Sequence, residues 1–369
     1  MLSAAEKLVS HIEQKLNEAK EQGDERSIIA NMDDISHRYT LDLVFRCFYK
    51  QDDIISYRTE RDMWVDMIVE SADNLINPLF YLCIIFPSLK PIVRWLIEHF
   101  NSLGYVRRKL MNFIEQQAKL NLKAKRELKR AKARDPSQTI DPDNFKLSDG
   151  TMFRRNLIDS VIDQLHDGII TKREYLNSTF LLFLAANVTS SAALSKTFYL
   201  LAVHPQVQDK LRKSITEHGL ESEYLSWVIN ESMRLYPPAL VSEWRQVTHD
   251  IESKCGLIPK GTFVAAPTNL TSRLPKYWGD DAQEFKPERW SNPRSFHPAQ
   301  FLIFGIGTRS CPGKYFATHG IKVILNTLLK RYKLEKVEET VKPALKCSPL
   351  LSFTVYEQPV YVKVSPLET

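Results

Sequence analysis

The sequence has few of the features that would mark a disulfide-bonded, metal-clustered or membrane-spanning protein. Its 369 residues hold five cysteines, Cys47, Cys83, Cys255, Cys311 and Cys347, scattered, odd in number and without a Cys-x-x-Cys pair. That spacing excludes a disulfide framework and implies a reducing compartment. No second cysteine or histidine stands at ligand spacing from Cys311, which excludes a zinc site there. No apolar run reaches the ~18 residues of a membrane-spanning helix. No signal peptide is visible, and Met1-Leu2-Ser3-Ala4-Ala5-Glu6 reads as the start of a soluble helix. Internal repeats are missing, and so is any linker clean enough to divide the chain. The net charge of +6 is modest. It suits an acidic protein partner or an anionic membrane surface, and no nucleic-acid partner is expected.

What is present is ordinary globular composition, 43% hydrophobic and 25% charged, enough for a sizeable core. Helical periodicity runs from Ala4 to Lys20 and again from Met32 to Phe48, where Ile35, Leu41, Val44 and Phe45 recur at helical spacing. The apolar run from Leu79 to Phe86, closed by Pro87 and followed by Ile92, Val93, Trp95, Leu96 and Ile97, is too short to span a bilayer. It reads as a core helix or as a patch that dips into a membrane surface. Lys123 to Arg134 carries seven basic residues against Glu127 and reads as a solvated helix face. Asp135 to Gly150, rich in Pro, Ser and Asp, reads as a surface loop.

A long helix is expected from Lys172 to about His204, ended by Pro205. Its middle, Phe183-Leu184-Ala185-Ala186-Asn187-Val188-Thr189-Ser190-Ser191, places small residues and alcohols where a helix gains little from them. A flat cofactor could lie against the alanines, and the Thr189 hydroxyl could bond dioxygen or relay a proton. Glu231 and Arg234, at i and i+3, face the same way and can pair before Pro237-Pro238 ends their helix. Strands are expected at Trp244 to Val247 and Gly256 to Val264. A helix is expected from Phe316 to Tyr332, and a terminal hairpin from Leu350 to Val364.

The stretch that organises the rest is Phe304-Gly305-Ile306-Gly307-Thr308-Arg309-Ser310-Cys311-Pro312-Gly313. Glycines on both sides of one cysteine let backbone approach a flat group. The adjacent arginine and free N–H groups favour a thiolate. A thiolate in such a turn suits the axial position of haem iron. Read without that chemistry, Cys311 would be a buried structural cysteine in a glycine-rich turn.

The spacing Phe-x-x-Gly-x-Arg-x-Cys-x-Gly resembles the cysteine loop of the cytochrome P-450 family. Three further motifs in the family's order extend the resemblance over nearly the whole chain: Ala185 to Ser190, Glu231-x-x-Arg234 and Pro287-Glu288-Arg289-Trp290. The resemblance implies a mainly α protein with small β-sheets (α+β), a single P-450 domain over 1–369 lacking its N-terminal quarter with the anchor, first strands and first helices. It implies thiolate-ligated haem, with Cys311 on iron, Phe304 and Gly313 in the loop, and Arg309 and Arg245 on the propionates. It makes Glu231, Arg234 and Arg289 a structural triad, Thr189 the alcohol of oxygen activation, and Phe183, Leu184, Ala185, Ala239, Leu240 and Leu350 a substrate wall. Val188 departs from the family, which places an acid there.

The implied reaction is monooxygenation of a lipophilic small molecule, with electrons from NADPH through a flavoprotein reductase. The implied location is the cytoplasmic face of the endoplasmic reticulum membrane, touched through Leu79 to Ile97. Two other readings stand beside it: a haem-thiolate isomerase or dehydratase acting on a peroxide without a reductase, and a truncated fragment unable to hold haem.

Overall fold

The computed structural model describes residues 1–22, 26–52, 54–55, 57, 62–66, 88, 91, 102–134, 140–239, 245–292, 297–344 and 358–367. The described elements run in chain order as α1 (Leu2–Glu21), β1 (Ile28–Asn31), α2 (Met32–Tyr49), α3 (Ser102–Arg134), β2 (Asn144–Lys146) and β3 (Met152–Arg154). There follow α4 (Asp159–His166), α5 (Lys172–Val203), α6 (Pro205–His218), α7 (Glu223–Leu235), and four short strands: β4 (Arg245–Gln246), β5 (Ile251–Ser253), β6 (Gly256–Ile258) and β7 (Phe263–Val264). After the short helices α8 (Thr268–Thr271) and α9 (Pro275–Trp278) come α10 (Lys314–Leu329), β8 (Tyr332–Glu335) and β9 (Tyr361–Pro366). The architecture is mainly helical with small sheets.

The chain divides into two compact units, Met1 with 37–188 and 2–36 with 189–369. In the first unit, α3 presents Ala124 to a small cluster with Leu147 and Phe153 of the β2–β3 hairpin. The hairpin turn is fastened by Glu127, whose carboxylate accepts from the Ser148 N–H at 2.7 Å and the Ser148 hydroxyl at 2.8 Å. Within the stretch expected to be wholly loop, strand pairing therefore begins at Asn144. The alternation Asn144-Phe145-Lys146 and Met152-Phe153-Arg154 is too short to stand out in sequence, and both phenylalanines pack on each other and on α3. The basic stretch of α3 is solvated, and Lys123 and Lys125 pair with Asp149 and Asp163. A second cluster packs Phe45, Tyr49, Trp64, Phe113 and Phe183 edge to face, with ring centroids 4.9–5.9 Å apart for its T-shaped pairs.

In the second unit α1 buries Ala4, Ala5, Leu8, Val9, Ile12 and Leu16, one face of a 3.6-residue period, and packs on α10. Of the stretch expected as a terminal hairpin, 350–357 lie outside the described residues, and its described end runs into β9. β9 is the centre of a three-stranded antiparallel sheet β1-β9-β8, with Ile28 opposite Val364 and Leu334 also opposite Val364. Its alternation buries Val362 and Val364, as a half-buried strand must. The helix expected to reach Tyr332 stops at Leu329, because Tyr332 enters β8. β4 pairs with β7 and β5 with β6.

α5 is long and apolar enough, by length and composition, to cross a membrane, against the expectation that no run reaches that length, because its alanines and alcohols interrupt the strongly apolar residues without adding charge. Its second half packs as core, with Leu194, Phe198 and Leu201 fully buried. Buried Asn187 donates to the His37 carbonyl at 3.2 Å and to the Thr40 hydroxyl at 2.7 Å, capping polar groups of α2.

Candidate functional site

Two constructions in the second unit carry the candidate site. The first begins at Glu231 and Arg234 on α7, both fully buried. Ser222 starts this helix by accepting from the Leu225 N–H at 3.0 Å. One turn near its end brings the pair together as a two-pronged bridge, Nε to Oε2 and Nη2 to Oε1, each 2.8 Å. Arg234 spends its remaining donors on the carbonyls of Ser272 and Ala282, both 2.7 Å, and Glu284 at 3.1 Å. Glu231 also accepts from the Lys286 N–H at 3.1 Å, Arg289 Nε at 3.2 Å and Trp290 Nε1 at 2.9 Å.

Arg289 in turn donates to the Trp278 carbonyl and to Asp281, each at 2.9 Å. Asp281 has its pKa held down to about 2, first by its bond with Lys286 and then by Arg289. Every charge in this knot is matched, which is what makes its burial tolerable. Trp278 and Trp290 pack around it with Ala282. The structure thus brings Glu231, Arg234 and Arg289 together. Sequence reasoning missed Asp281 and the three carbonyls, since none of these has a spacing rule; Trp290 stood in the quoted motif and Trp278 at the end of a family-like stretch, 269–278, and neither was given a role.

The second construction is the cysteine loop. The Cys311 N–H donates to the Phe304 carbonyl at 2.7 Å, closing a turn whose sides are joined by Ser310 N–H to Gly307 O at 3.1 Å and Gly305 N–H to Leu302 O at 3.0 Å. Gly305 and Gly307 take φ of 66° and 75°, the left-handed region that a side chain resists. A Cβ on Gly313 would stand 3.8 Å from the Cys311 sulfur. The chain then enters α10, and Lys314 lies over the Phe304 ring. The thiol is exposed, as are Arg309 and Ile306, and Tyr315 is 82% exposed.

These residues fit a haem. Iron in a porphyrin needs one protein ligand on this side, and the loop offers a single accessible thiol with apolar surface and a guanidinium beside it. Among the described residues no group of three or more His, Cys, Asp or Glu could hold a metal ion in a conventional site.

The other expected residues are placed as follows. Arg245 lies exposed on β4. Thr189, Leu184 and Ala185 are half-buried on α5, with Leu181 and Leu182 exposed just before them. Phe183 is 1% exposed and its ring belongs to the aromatic cluster of its own unit. Ala239 is half-buried. Leu240, Leu350 and, apart from Ser88 and Pro91, the run 79–97 lie outside the described residues.

A mainly helical chain with small sheets, a buried Glu-x-x-Arg knot and a glycine-flanked cysteine before a long helix is the arrangement that the motif resemblance implies. The family model described as "Cytochrome P450" matches residues 1–364, and the chain belongs to that family. Among its relatives are cytochrome P450 3A13 of Mus musculus, 30% identical over 350 residues covering 91% of this chain and 63% of that protein. Cytochrome P450 3A5 of Homo sapiens is 30% identical over 318 residues, 81% of this chain and 58% of that protein. The chain therefore spans less than two thirds of these relatives' length.

Proposed function

We propose that the protein is a haem-thiolate monooxygenase acting on a lipophilic small molecule. The observation that carries this is the exposed Cys311 thiol on a glycine-shaped turn, inside a chain of the cytochrome P450 family. Cys311 would hold the iron, Phe304 and Gly313 would shape the ground around the sulfur, and Arg309 and Arg245 would meet the propionates with planar forks suited to carboxylates. The bound group supplies reductive activation of dioxygen, which the side chains of the protein cannot perform.

The rest falls to this chain's residues. Thr189 would donate its hydroxyl proton at the oxygen side and accept one from solvent. Leu184 and Ala185, with Phe183 behind them in the aromatic cluster, would offer substrate an apolar surface that excludes water, as would Ala239, Leu240 and Leu350. Glu231, Arg234 and Arg289 would hold the ground under the site. A flavoprotein reductase drawing on NADPH would supply electrons, met by the basic balance of the chain, and the run 79–97 would touch the endoplasmic reticulum membrane from its cytoplasmic side.

The test is haem uptake by the purified chain. Reduction under carbon monoxide should give the red-shifted band of a thiolate complex, and Cys311→Ser should abolish that band. An unchanged spectrum in the variant, or no uptake by the wild-type chain, would overturn the reading.

A second reading draws on Val188, which gives no carboxylate at the place next to Thr189. The missing acid would mark an isomerase or dehydratase that rearranges a peroxide, a reaction that balances without external electrons. Turnover independent of reductase would favour it.

A further inference from the structure

Lys196 is the only charged side chain of α5 after Glu174, and it is 1% exposed. Its ammonium reaches Asp33 Oδ1 at 3.0 Å and the Ser195 hydroxyl at 3.3 Å. The second oxygen of the same carboxylate, Oδ2, accepts the Val360 N–H at 2.7 Å. The neighbouring Met32 N–H donates to the Val360 carbonyl, also at 2.7 Å. Asp33 is itself fixed at the start of α2, where Asn31 Oδ1 accepts from the Asp33 and Asp34 N–H groups at 3.0 and 3.1 Å. One carboxylate thus ties a long helix to the residue that opens β9.

The two tied elements matter for the site. Lys196 lies seven residues after Thr189, two helical turns along α5, so the two share a face. Val360 follows Leu350 by ten residues. Stability alone is a poor reason to bury a lysine here, since a well-packed apolar pair of the same volume is often as good. Burial acts to lower the Lys196 pKa, while the same ion pair and its hydrogen bonds leave the Asp33 carboxyl below its ordinary value; the charged pair is the state consistent with the geometry.

We propose that Lys196 and Asp33 are a positioning pair that latches α5 to the start of β9, and so set the spacing between the helix bearing Thr189 and that strand. The consequence for substrate shape rests on the haem-thiolate reading; the latch itself does not.

The experiment uses the full chain in three forms: wild type, Lys196→Met, and Asp33→Asn/Lys196→Met, the last leaving no lone buried charge. In the haem-free chain, amide hydrogen exchange should quicken at least tenfold at Val360 and Met32 in Lys196→Met, and about threefold in the double variant, while the Trp290 and Lys286 amides stay protected. Unaltered exchange at Val360 in both variants, or equal loss of protection everywhere, would overturn the latch. In the haem-loaded chain, 4-phenylimidazole should bind five- to tenfold more weakly to the variants while imidazole binds as before, because only the phenyl ring reads the wall. Faster exchange with unchanged 4-phenylimidazole affinity would remove the positioning role. Failure of the wild-type chain to take up haem would sink the functional reading instead, and the exchange result would still decide the latch.

Discussion

At the scale of single residues, the knot around Glu231 and Arg234 is demanding because both charges are fully buried. Arg234 makes five hydrogen bonds, two to Glu231 and three to carbonyls. Arg234→Ala would leave the Glu231 carboxylate buried beside unpaired carbonyls, and a loss of about 3–5 kcal/mol is expected from breaking such a pair. Urea unfolding monitored by tryptophan emission measures it, since Trp278 and Trp290 line the knot. Arg234→Lys should recover little, because an ammonium cannot offer two parallel bonds.

Asp281 gives a pH signature at the same place. Its folded pKa of about 2 lies below the ordinary value of 3.8, so its stabilising contribution is full above about pH 4 and is lost as pH falls toward 2. The gap in urea midpoint between wild type and Asp281→Asn should accordingly narrow on acidification. A gap that is constant with pH would mean that the carboxylate is not held by charge.

At the scale of elements, the cysteine loop depends on backbone that only glycine adopts easily. A Cβ at Gly305 would stand 3.7 Å from Ser310 Cα, so there is room for it, but φ of 66° remains unfavourable. Gly305→Ala should cost about 1–2 kcal/mol locally. It should lower the fraction of chain that takes up haem while leaving the far-ultraviolet circular dichroism intact.

This loop, the Glu-x-x-Arg turn and the long helices were legible in the sequence because their rules are local: fixed spacing, a period near 3.6, and prolines at the ends. Pro205 stops α5 at Val203 and opens α6. What could not be read depends on partners far along the chain. β9 pairs with β1, some 330 residues away, and no local pattern in 361–366 names that partner. Nothing local marked Lys196, whose partner Asp33 lies 163 positions off. The β2–β3 hairpin failed for a different reason: its strands are three residues each, and their stability comes from α3 beneath them.

At the scale of the whole molecule, exposed apolar surface bears on behaviour in solution. The chain spans 63% and 58% of two relatives at similar identity, and the second unit leaves large apolar side chains in water. Phe263 is 62% exposed and Leu257 61%, with Ile251 and Val264 also exposed on the same short strands. Scattered exposed apolar residues are normal, but among the described residues β4–β7 and β5–β6 are two-stranded, and short sheets of this kind tend to pair edge to edge. A net charge of +6 over 369 residues provides only weak repulsion between copies. Self-association through these strands is therefore expected when the chain is isolated at micromolar concentration. Leu257→Ser and Phe263→Ser together should shift its sedimentation toward the monomer without changing the urea midpoint, since neither side chain is part of a buried cluster. Sedimentation unaltered by the double change would place the association elsewhere, with the exposed Ile306 and Tyr315 beside Cys311 as the next surface to alter.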